Sequence, residues 1–243
     1  MCYDISFSTT IEMVTDYLPG LVLDPQLGLD YNMNRHFQIR EEKSYPIIIC
    51  HDGIRALTPL KWGIEVAPGI VSFNAQSERI LNDKKSRWYR RRNSRCLIPV
   101  TGIYEHREIK GWKKKVPYYV KLKNRSLFCI PGLYSASQNS FALITRPGND
   151  IMRQIHNSGD NPYRMPLFLA DKQLEERWLA SDLQEAEMEA ILDYELPSEN
   201  MEYYPVHTIR TQKERPDKKQ KDEPFNWPDL PPLGKDSNEL SLF

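Results

Sequence analysis

The sequence has no net charge, because 33 lysines and arginines are balanced by 33 aspartates and glutamates. Any affinity for nucleic acid must therefore come from a local basic patch. The sequence also has no run of about 18 apolar residues, so we expect no membrane-spanning segment. Its first residues lack a basic stretch followed by an apolar one. We therefore expect no secretion signal and a cytoplasmic location.

The cysteines include no C-x-x-C pair, which argues against zinc ligation, and we expect neither a metal nor a cofactor. Cys50, Cys96 and Cys129 lie in apolar, strand-like runs. This is typical of reduced cysteines packed as small hydrophobic side chains. Cys2 differs, because it directly follows the initiator methionine. Methionine is usually removed before a small residue, so the mature chain would begin with cysteine.

An N-terminal Cys2 would carry an amine and a thiol on adjacent carbons, a pair that no internal residue has. The α-amine has a pKa near ~8 and is partly unprotonated at neutral pH. It can condense with an aldehyde to an imine, on which the thiol closes to a five-membered thiazolidine. Alternatively, the thiolate could act alone as a nucleophile. A cysteine at this position is more often incidental, so the interpretation requires partner residues.

The order of predicted elements favours one α+β domain over residues 1–210. Runs of β-branched and aromatic residues with turn residues between them predict a largely antiparallel, barrel-like sheet, with helices near the ends of the chain. Asp52-Gly53 predicts a tight hairpin turn. Residues 77–94 read as one helix with Ser77 as a candidate cap. Residues 211–243 are charged and contain prolines, so we expect a flexible tail. No internal repeat or phosphate-binding glycine loop is present.

Three polar residues are candidates for chemistry. Asn74 precedes a predicted helix, where it could be a turn residue or an amide that positions a substrate. Glu105 ends a strongly apolar strand, so it is either a solvent-exposed glutamate or a general acid/base with a raised pKa. His156 suits proton transfer near neutral pH, although a single histidine is more often a packing or surface residue.

Two basic stretches with aromatic residues stand out in this otherwise neutral chain. Residues 84–95 contain Arg87 and Trp88, and residues 110–115 contain Trp112. Basic side chains bind phosphates and aromatic rings stack on unpaired bases, although a charge run is usually just a solvated surface. We take Arg87 and Trp88 as candidate DNA-binding residues.

Taken together, the motifs resemble the SOS response-associated peptidase (SRAP) family. They are an initial Met-Cys, then "KWGI", "FNAQSE", "RCLIPVTGIYEH", "TRPGND", a histidine and "RMP", spread from residue 1 to about 207. The resemblance implies a compact α+β domain around a curved antiparallel sheet. It implies a DNA-damage (SOS) response protein that forms a covalent thiazolidine crosslink with abasic sites in single-stranded DNA, with associated autopeptidase and lyase activity. Replication or repair proteins are possible further partners.

The resemblance also implies roles for individual residues. Cys2 is the residue that becomes linked to the deoxyribose aldehyde. Asn74 helps to hold the Cys2 amine and the sugar, and Glu105 assists the Schiff-base chemistry and its reversal. His156 protonates the opening sugar ring.

The resemblance further implies that Trp62 and Arg164 contact DNA. The sequence departs from the family pattern at several positions. Asp4 and Gln76 stand where basic residues are expected, so phosphate contact should be weaker there. His106 replaces a tryptophan, and residues 157–163 are inserted between the histidine and "RMP".

Two other functions are compatible with these residues. Cys2, His156 and Glu105 could form the thiol, imidazole and carboxylate of a cysteine peptidase that acts on other proteins. Alternatively, the basic and aromatic stretches could belong to a non-enzymatic module that binds single-stranded nucleic acid. The initial Met-Cys discriminates against the module, which would not need it.

Overall fold

The structure is a computed structural model and describes residues 2–27, 33–39, 41, 43–211 and 213–235. The strands in these ranges are β1 (Asp4–Phe7), β2 (Val22–Leu23), β3 (Asn34–Gln38), β4 (Ser44–His51), β5 (Ile54–Trp62), β6 (Ile64–Ala67), β7 (Ile70–Ser72), β8 (Asn74–Gln76), β9 (Arg95–Val100), β10 (Gly102–Arg107), β11 (Val116–Leu122), β12 (Phe128–Ser135), β13 (Ser140–Pro147), β14 (Arg164–Pro166) and β15 (Met201–Pro205).

The helices are short. They are α1 (Ile11–Tyr17), α2 (Ser77–Leu81), α3 (Arg87–Arg90), α4 (Asp150–Ile155), α5 (Lys172–Leu179) and α6 (Glu185–Leu192). Within the described ranges, none of them has the length and apolar character needed to cross a membrane.

The larger sheet closes into a barrel-like ring, as predicted. Strands β13, β12, β9, β4 and β5 follow one another as antiparallel neighbours. A parallel pairing of Phe141 in β13 with Trp62 in β5 joins the two ends of this series. Closure leaves fewer unpaired strand edges. The interior of the ring is filled by apolar side chains from all five strands, so it forms the main core.

The smaller sheet has the order β15-β11-β10-β1-β3 and positions the start of the chain. In the antiparallel pair of β1 and β10, Asp4 lies opposite Tyr104 and Ile5 opposite Ile103. Continuing this register brings Cys2 alongside the second half of β10, where Glu105 lies. The sheet pairing therefore explains why residues far apart in sequence meet at one site.

The hairpin predicted at Asp52-Gly53 is confirmed. The register of β4 and β5 places His51 opposite Ile54, which leaves a two-residue turn. Asp52 has φ 49° and Gly53 has φ 77°. Positive φ at both central residues defines the type I′ turn that suits the twist of a hairpin, and Asp-Gly adopts it readily.

The single helix predicted over residues 77–94 is wrong, because the chain forms α2 and α3 with a turn between them. The Asp83 carboxylate accepts hydrogen bonds from the backbone N–H groups of Lys85 and Ser86, both at 3.1 Å. Such a local side-chain bond competes with helical hydrogen bonds and interrupts the helix. Ser86 then caps α3, and Ser77 is the first residue of α2 rather than its cap.

The described part of the C-terminal segment, residues 213–235, lies against the domain. Trp227 Nε1 donates to the carbonyl of Val206 at 2.9 Å. Arg107, which is buried on β10, donates to the carbonyls of Pro231 and Pro232 at 2.8 and 2.7 Å. The contacts extend from the last strand to the strand that carries Glu105. The flexibility predicted for residues 211–243 stays a prediction, and the boundary at residue 210 is likewise untested.

Candidate active site

One site next to the start of β1, an inner strand of the smaller sheet, brings together Cys2, Asn74, Glu105 and His156. Glu105 and His156 line a cavity of about 350 Å³ that also borders Asp4. Each residue is positioned by a different element: Cys2 precedes β1, Asn74 begins β8, Glu105 lies on β10 and His156 ends α4. The four predicted catalytic residues therefore converge, although their roles stay predictions.

The Cys2 side chain is buried, with 1% of its surface exposed. Its Sγ lies 3.7 Å from the backbone carbonyl of Asp4, which can accept a weak hydrogen bond from the thiol. Burial, together with the nearby charge of Glu105, raises the pKa of the Cys2 thiol. The thiol is therefore neutral at neutral pH.

Asn74 is held by the sheet and fixes the backbone of Cys2. Strand β8 runs parallel to β13, with Asn74 opposite Leu143. Asn74 Nδ2 donates to the carbonyl of Cys2 at 3.1 Å, and its Oδ1 is buried without a hydrogen-bond partner among the described residues. An unpartnered buried oxygen is costly, so this atom is available to a substrate group.

Glu105 is also buried, with 4% of its surface exposed. Burial, with a further contribution from the negative charge of Asp4, raises the pKa of Glu105 to about 8. Its Oε1 has no hydrogen-bond partner in the described part of the chain. At neutral pH this side chain is mostly a neutral acid that can donate a proton.

His156 faces Glu105 and is fixed by the backbone of Arg164. Its Nδ1 lies 3.0 Å from the Arg164 carbonyl oxygen and 3.1 Å from the Arg164 backbone nitrogen. This turns Nε2 towards Glu105, whose Oε2 is 4.0 Å away. Burial lowers the pKa of His156 to about 4, so its imidazole is neutral at neutral pH and can accept a proton.

The insertion at residues 157–163 leaves His156 in place. The Tyr163 backbone N–H donates to the His156 carbonyl at 2.7 Å, which closes the inserted loop on itself. Tyr163 has φ 62° in this loop. The Asn157 side chain bonds both backbone groups of Glu108, at 2.8 and 2.9 Å, which ties the loop to the end of β10. The loop therefore forms a wall of the cavity beside His156.

The four residues predicted to contact DNA do not form one exposed surface. Trp62 is 6% exposed, donates to the Phe73 carbonyl at 2.8 Å and stacks on Phe141. Trp88 is 5% exposed and borders the same shallow cavity as Asn74. For these residues a DNA contact stays a prediction, and the structure shows that both indoles also pack against the protein.

The two arginines among the predicted DNA contacts differ from each other. Arg164 is mostly buried and makes a bidentate pair with Glu78, at 2.8 and 2.9 Å. Its side chain is 11% exposed and all three guanidinium nitrogens are hydrogen-bonded within the protein, so little of the group is accessible to phosphate. Arg87 is exposed and lines a shallow concavity with Arg90 and Arg91. Of the two, Arg87 is the one whose guanidinium is accessible to phosphate.

Two cations near the site, Arg210 and Arg79, have no signal in the sequence, whereas Lys115 belongs to the basic stretch of residues 110–115. Arg210 and Lys115 line the cavity of Glu105 and His156, and Arg79 lines the adjoining cavity of Asn74. Asn161 of the inserted loop borders both cavities. No local pattern marks Arg210, which follows the last strand in "HTIR", because only the folded chain brings it near Glu105.

No metal centre is formed by the described residues. In residues 2–27, 33–39, 41, 43–211 and 213–235, no three His, Cys, Asp or Glu side chains group closely enough to hold a metal ion.

Solved structures with the same fold include three bacterial proteins. A protein from Bacteroides thetaiotaomicron has a TM-score of 0.70 and 25% identity, covering 92% of this chain and 97% of its own. A phage-related protein from Bordetella bronchiseptica has a TM-score of 0.66 and 21% identity, covering 85% of this chain and 95% of its own. A second Bordetella bronchiseptica protein has a TM-score of 0.63 and 16% identity, covering 85% and 100%. None of the curated proteins compared with the sequence matches it significantly.

The sequence was also compared with models of protein families. The model of the SOS response associated peptidase family matches residues 1–210, which is most of the chain and includes all four residues of the candidate site. The match agrees with the motifs, the curved sheet and the structural neighbours. The chain therefore belongs to the SOS response associated peptidase (SRAP) family.

Proposed function

We propose that this protein captures abasic sites in single-stranded DNA as a covalent thiazolidine on Cys2, after removal of Met1. The proposal rests on one observation: the buried Cys2 lies in the same site as Asn74, Glu105 and His156. Asn74 Oδ1 and Glu105 Oε1 have no partners among the described residues. Buried polar atoms are seldom left without a partner, and these two oxygens can bind the Cys2 amine and a hydroxyl group of the reacting sugar.

The reaction balances without an oxidant or a reductant. An abasic deoxyribose opens to an aldehyde at C1′, and the Cys2 nitrogen adds to this carbon. The resulting hydroxyl leaves as water and an imine forms. Sγ then adds to the imine carbon, and the thiol proton moves to the nitrogen. Holding the aldehyde against an amine and a thiol on one residue makes both additions effectively intramolecular.

The shifted pKa values suggest how the proton transfers are divided. Glu105, with its pKa raised to about 8, can protonate the departing hydroxyl. His156, with its pKa lowered to about 4, can accept a proton from the sugar or the amine. The family resemblance makes His156 the proton donor during ring opening. We instead propose Glu105 as the donor and His156 as the acceptor.

The raised pKa of the Cys2 thiol favours attack by the amine first. A neutral thiol is a poor first nucleophile, but it can add to an imine that is already formed. The same imine is the intermediate of a lyase that cleaves the strand by elimination. We therefore include lyase activity in the proposal, with autopeptidase activity as a further proposal from the family.

Cleavage of other proteins is less well supported. A thiol peptidase needs a thiolate, which nearby cations or a histidinium normally stabilise by lowering the thiol pKa. In this site the Cys2 pKa is raised and the His156 pKa is lowered, so the ion pair is disfavoured. A simple binding module, in turn, has no need for the neutral acid and neutral base at this site.

The test is a crosslinking assay on a denaturing gel. The protein, with Met1 removed and a free N-terminus confirmed, is mixed with a single-stranded oligonucleotide that carries one abasic site. We expect a shifted band whose intact mass equals protein plus DNA less one water, mapping to Cys2. Cys2→Ala should abolish it. Cys50→Ala is the matched control, since Cys50 is a half-buried thiol elsewhere, and it should leave the band unchanged.

Each other outcome would count against the proposal. An adduct of equal yield in Cys2→Ala would overturn the role of Cys2. The absence of any adduct would overturn the proposed function. In that case, equal binding to intact and abasic strands would favour a binding module, and turnover of a peptide substrate would favour a peptidase.

A further inference from the structure

Arg210 lies at the rim of the cavity that Glu105 and His156 line, and it is held there by a buried carboxylate. Its Nε donates to Asp4 Oδ1 at 3.3 Å, and its Nη2 donates to Asp4 Oδ2. Asp4 is 1% exposed, whereas 45% of the Arg210 side chain is exposed. The guanidinium is therefore anchored on its inner edge and accessible to solvent on its outer edge.

We propose that Arg210 is the phosphate-binding residue of this cavity and contacts a phosphate attached to the reacting deoxyribose. The inference rests on the proposed function and specifies how the strand is held. An abasic sugar in DNA carries phosphates on both sides, so a site for the sugar also admits at least one phosphate. Arginine suits this task, because its planar group can bind a carboxylate and a phosphate with different donors.

Asp4 is ionised and orients the guanidinium. Burial would raise the pKa of Asp4, but hydrogen bonds from His36 and Arg210 outweigh it and lower the pKa below its ordinary value. His36 Nε2 lies 2.7 Å from Oδ1 and also holds the carboxylate in place. The Asp4 carboxylate is paired with Arg210 and His36, so it acts as a positioning residue for Arg210.

The outer donors of Arg210 are available. No described residue accepts a hydrogen bond from its Nη1. The other cationic side chain of the rim, Lys115, is already engaged: its Nζ donates to Ser158 Oγ at 2.7 Å and lies 3.2 Å from the Glu108 carboxylate. Among the described residues, Arg210 keeps Nη1 free on the side away from its anchor, whereas Lys115 is held by the inserted loop and by Glu108.

This arrangement changes the interpretation of Asp4. The sequence predicts weaker phosphate contact, because an acidic residue stands at a position expected to be basic. In the folded chain, Asp4 instead recruits a cation from after β15. The Arg210 guanidinium thus lies beside the position where the resemblance implies a basic residue, and the Asp4 carboxylate supports it.

The test measures noncovalent binding, so that it does not depend on the crosslinking reaction. The probe is a fluorescent single strand with a tetrahydrofuran analogue of an abasic site, which has no aldehyde. Its Kd is measured by anisotropy across a salt series. We compare wild type with Arg210→Gln, Arg210→Lys and Arg55→Gln. Arg55 is the matched control: it is a partly exposed arginine on β5 that does not line the cavity.

We expect Arg210→Gln to weaken binding roughly 10-fold, as for loss of a charge-assisted hydrogen bond. The slope of log affinity against log salt should fall by about 0.7, corresponding to one phosphate contact with a single strand. Arg210→Lys should restore the slope and part of the affinity. Arg55→Gln should leave both unchanged.

An unchanged salt slope in a folded Arg210→Gln protein would overturn the inference, whatever its Kd. Thermal melting of each variant checks that it is folded. Failure of the proposed function gives a different result, because wild type would then form no adduct with a true abasic site. The binding assay reports on Arg210 in either case.

Discussion

Glu105 Oε2 lies 4.0 Å from His156 Nε2, and burial shifts the pKa values of these two groups in opposite directions. It raises the pKa of Glu105 to about 8 and lowers the pKa of His156 to about 4. Around neutral pH the site therefore holds a neutral acid facing a neutral base, whereas in water both groups would be nearer to their charged forms. Such a pair can donate one proton and accept another while keeping the buried site near neutrality.

The first prediction concerns the pH dependence of crosslinking. The Cys2 amine must lose its proton, so the rate should rise as pH approaches ~8. Above the Glu105 pKa of about 8 the acid is lost, and the rate should fall. Single-turnover rates across pH should thus give a bell-shaped curve, and Glu105→Gln should be slower and lack the alkaline fall. A variant that keeps this fall would exclude Glu105 as the acid.

The second prediction concerns stability. Because the folded-state pKa of Glu105 is raised, its stabilising contribution is complete below its ordinary pKa and is lost as pH rises through about 8. Glu105→Gln removes the ionisable group, so it should become increasingly stable relative to wild type as pH rises from 5 to 9. Urea unfolding at several pH values measures this difference. Glu189→Gln, at an exposed position on α6, is the control and should show no such trend.

The third prediction separates chemistry from binding at His156. His156→Gln should slow crosslinking by roughly 10²–10⁴-fold, the usual contribution of a general acid or base. Affinity for the aldehyde-free analogue should change little, since the imidazole is buried and is not a phosphate contact. His51→Gln is the control, because His51 is exposed beside the β4–β5 turn. An equal loss of binding and rate in His156→Gln would assign the residue to DNA binding instead.

Much of the fold could be predicted because its signals are local. The Asp52-Gly53 turn and the long apolar strands can each be recognised from a few neighbouring residues. The short strands β7 and β8 were missed because three residues show no clear period, and the residues of β6 were not separated from the strand before them. Helix α4 was missed for a similar reason, because it has only six residues. These residues follow a proline and a glycine, in a stretch that was used as a family motif and not assigned a secondary structure.

The residues of the candidate site also differ in whether a local signal in the sequence reveals them. Cys2, Asn74, Glu105 and His156 could be proposed because motifs carry them. Arg210 could not, because its significance depends on the sheet pairing that brings Asp4 beside it. The burial of Trp62 could not be predicted from the sequence either, because it results from closure of the ring through β5 and β13.

A fourth prediction addresses the C-terminal segment through Arg107. This arginine is fully buried on β10, two residues after Glu105, and donates to the carbonyls of Pro231 and Pro232 and to the Tyr118 hydroxyl. Residues two apart on a strand share a face, so the contact supports the strand segment that carries the proposed acid. Deleting residues 212–243 removes both carbonyl acceptors. We expect the domain to lose about 3 kcal/mol of stability, because hydrogen bonds to a charged donor are strong.

The matched control is a chain that ends at residue 235, which retains both acceptors of Arg107 and should melt like the full-length protein. The longer deletion should also slow crosslinking, because β10 loses support next to Glu105. Hydrogen exchange gives a second readout: amides of residues 102–107 should exchange faster only in the longer deletion. If both truncated proteins match full length in melting and exchange, the segment is the flexible tail that the sequence predicts. Destabilisation by the longer deletion alone would instead make residues 213–235 part of the folded domain and move its boundary beyond residue 210.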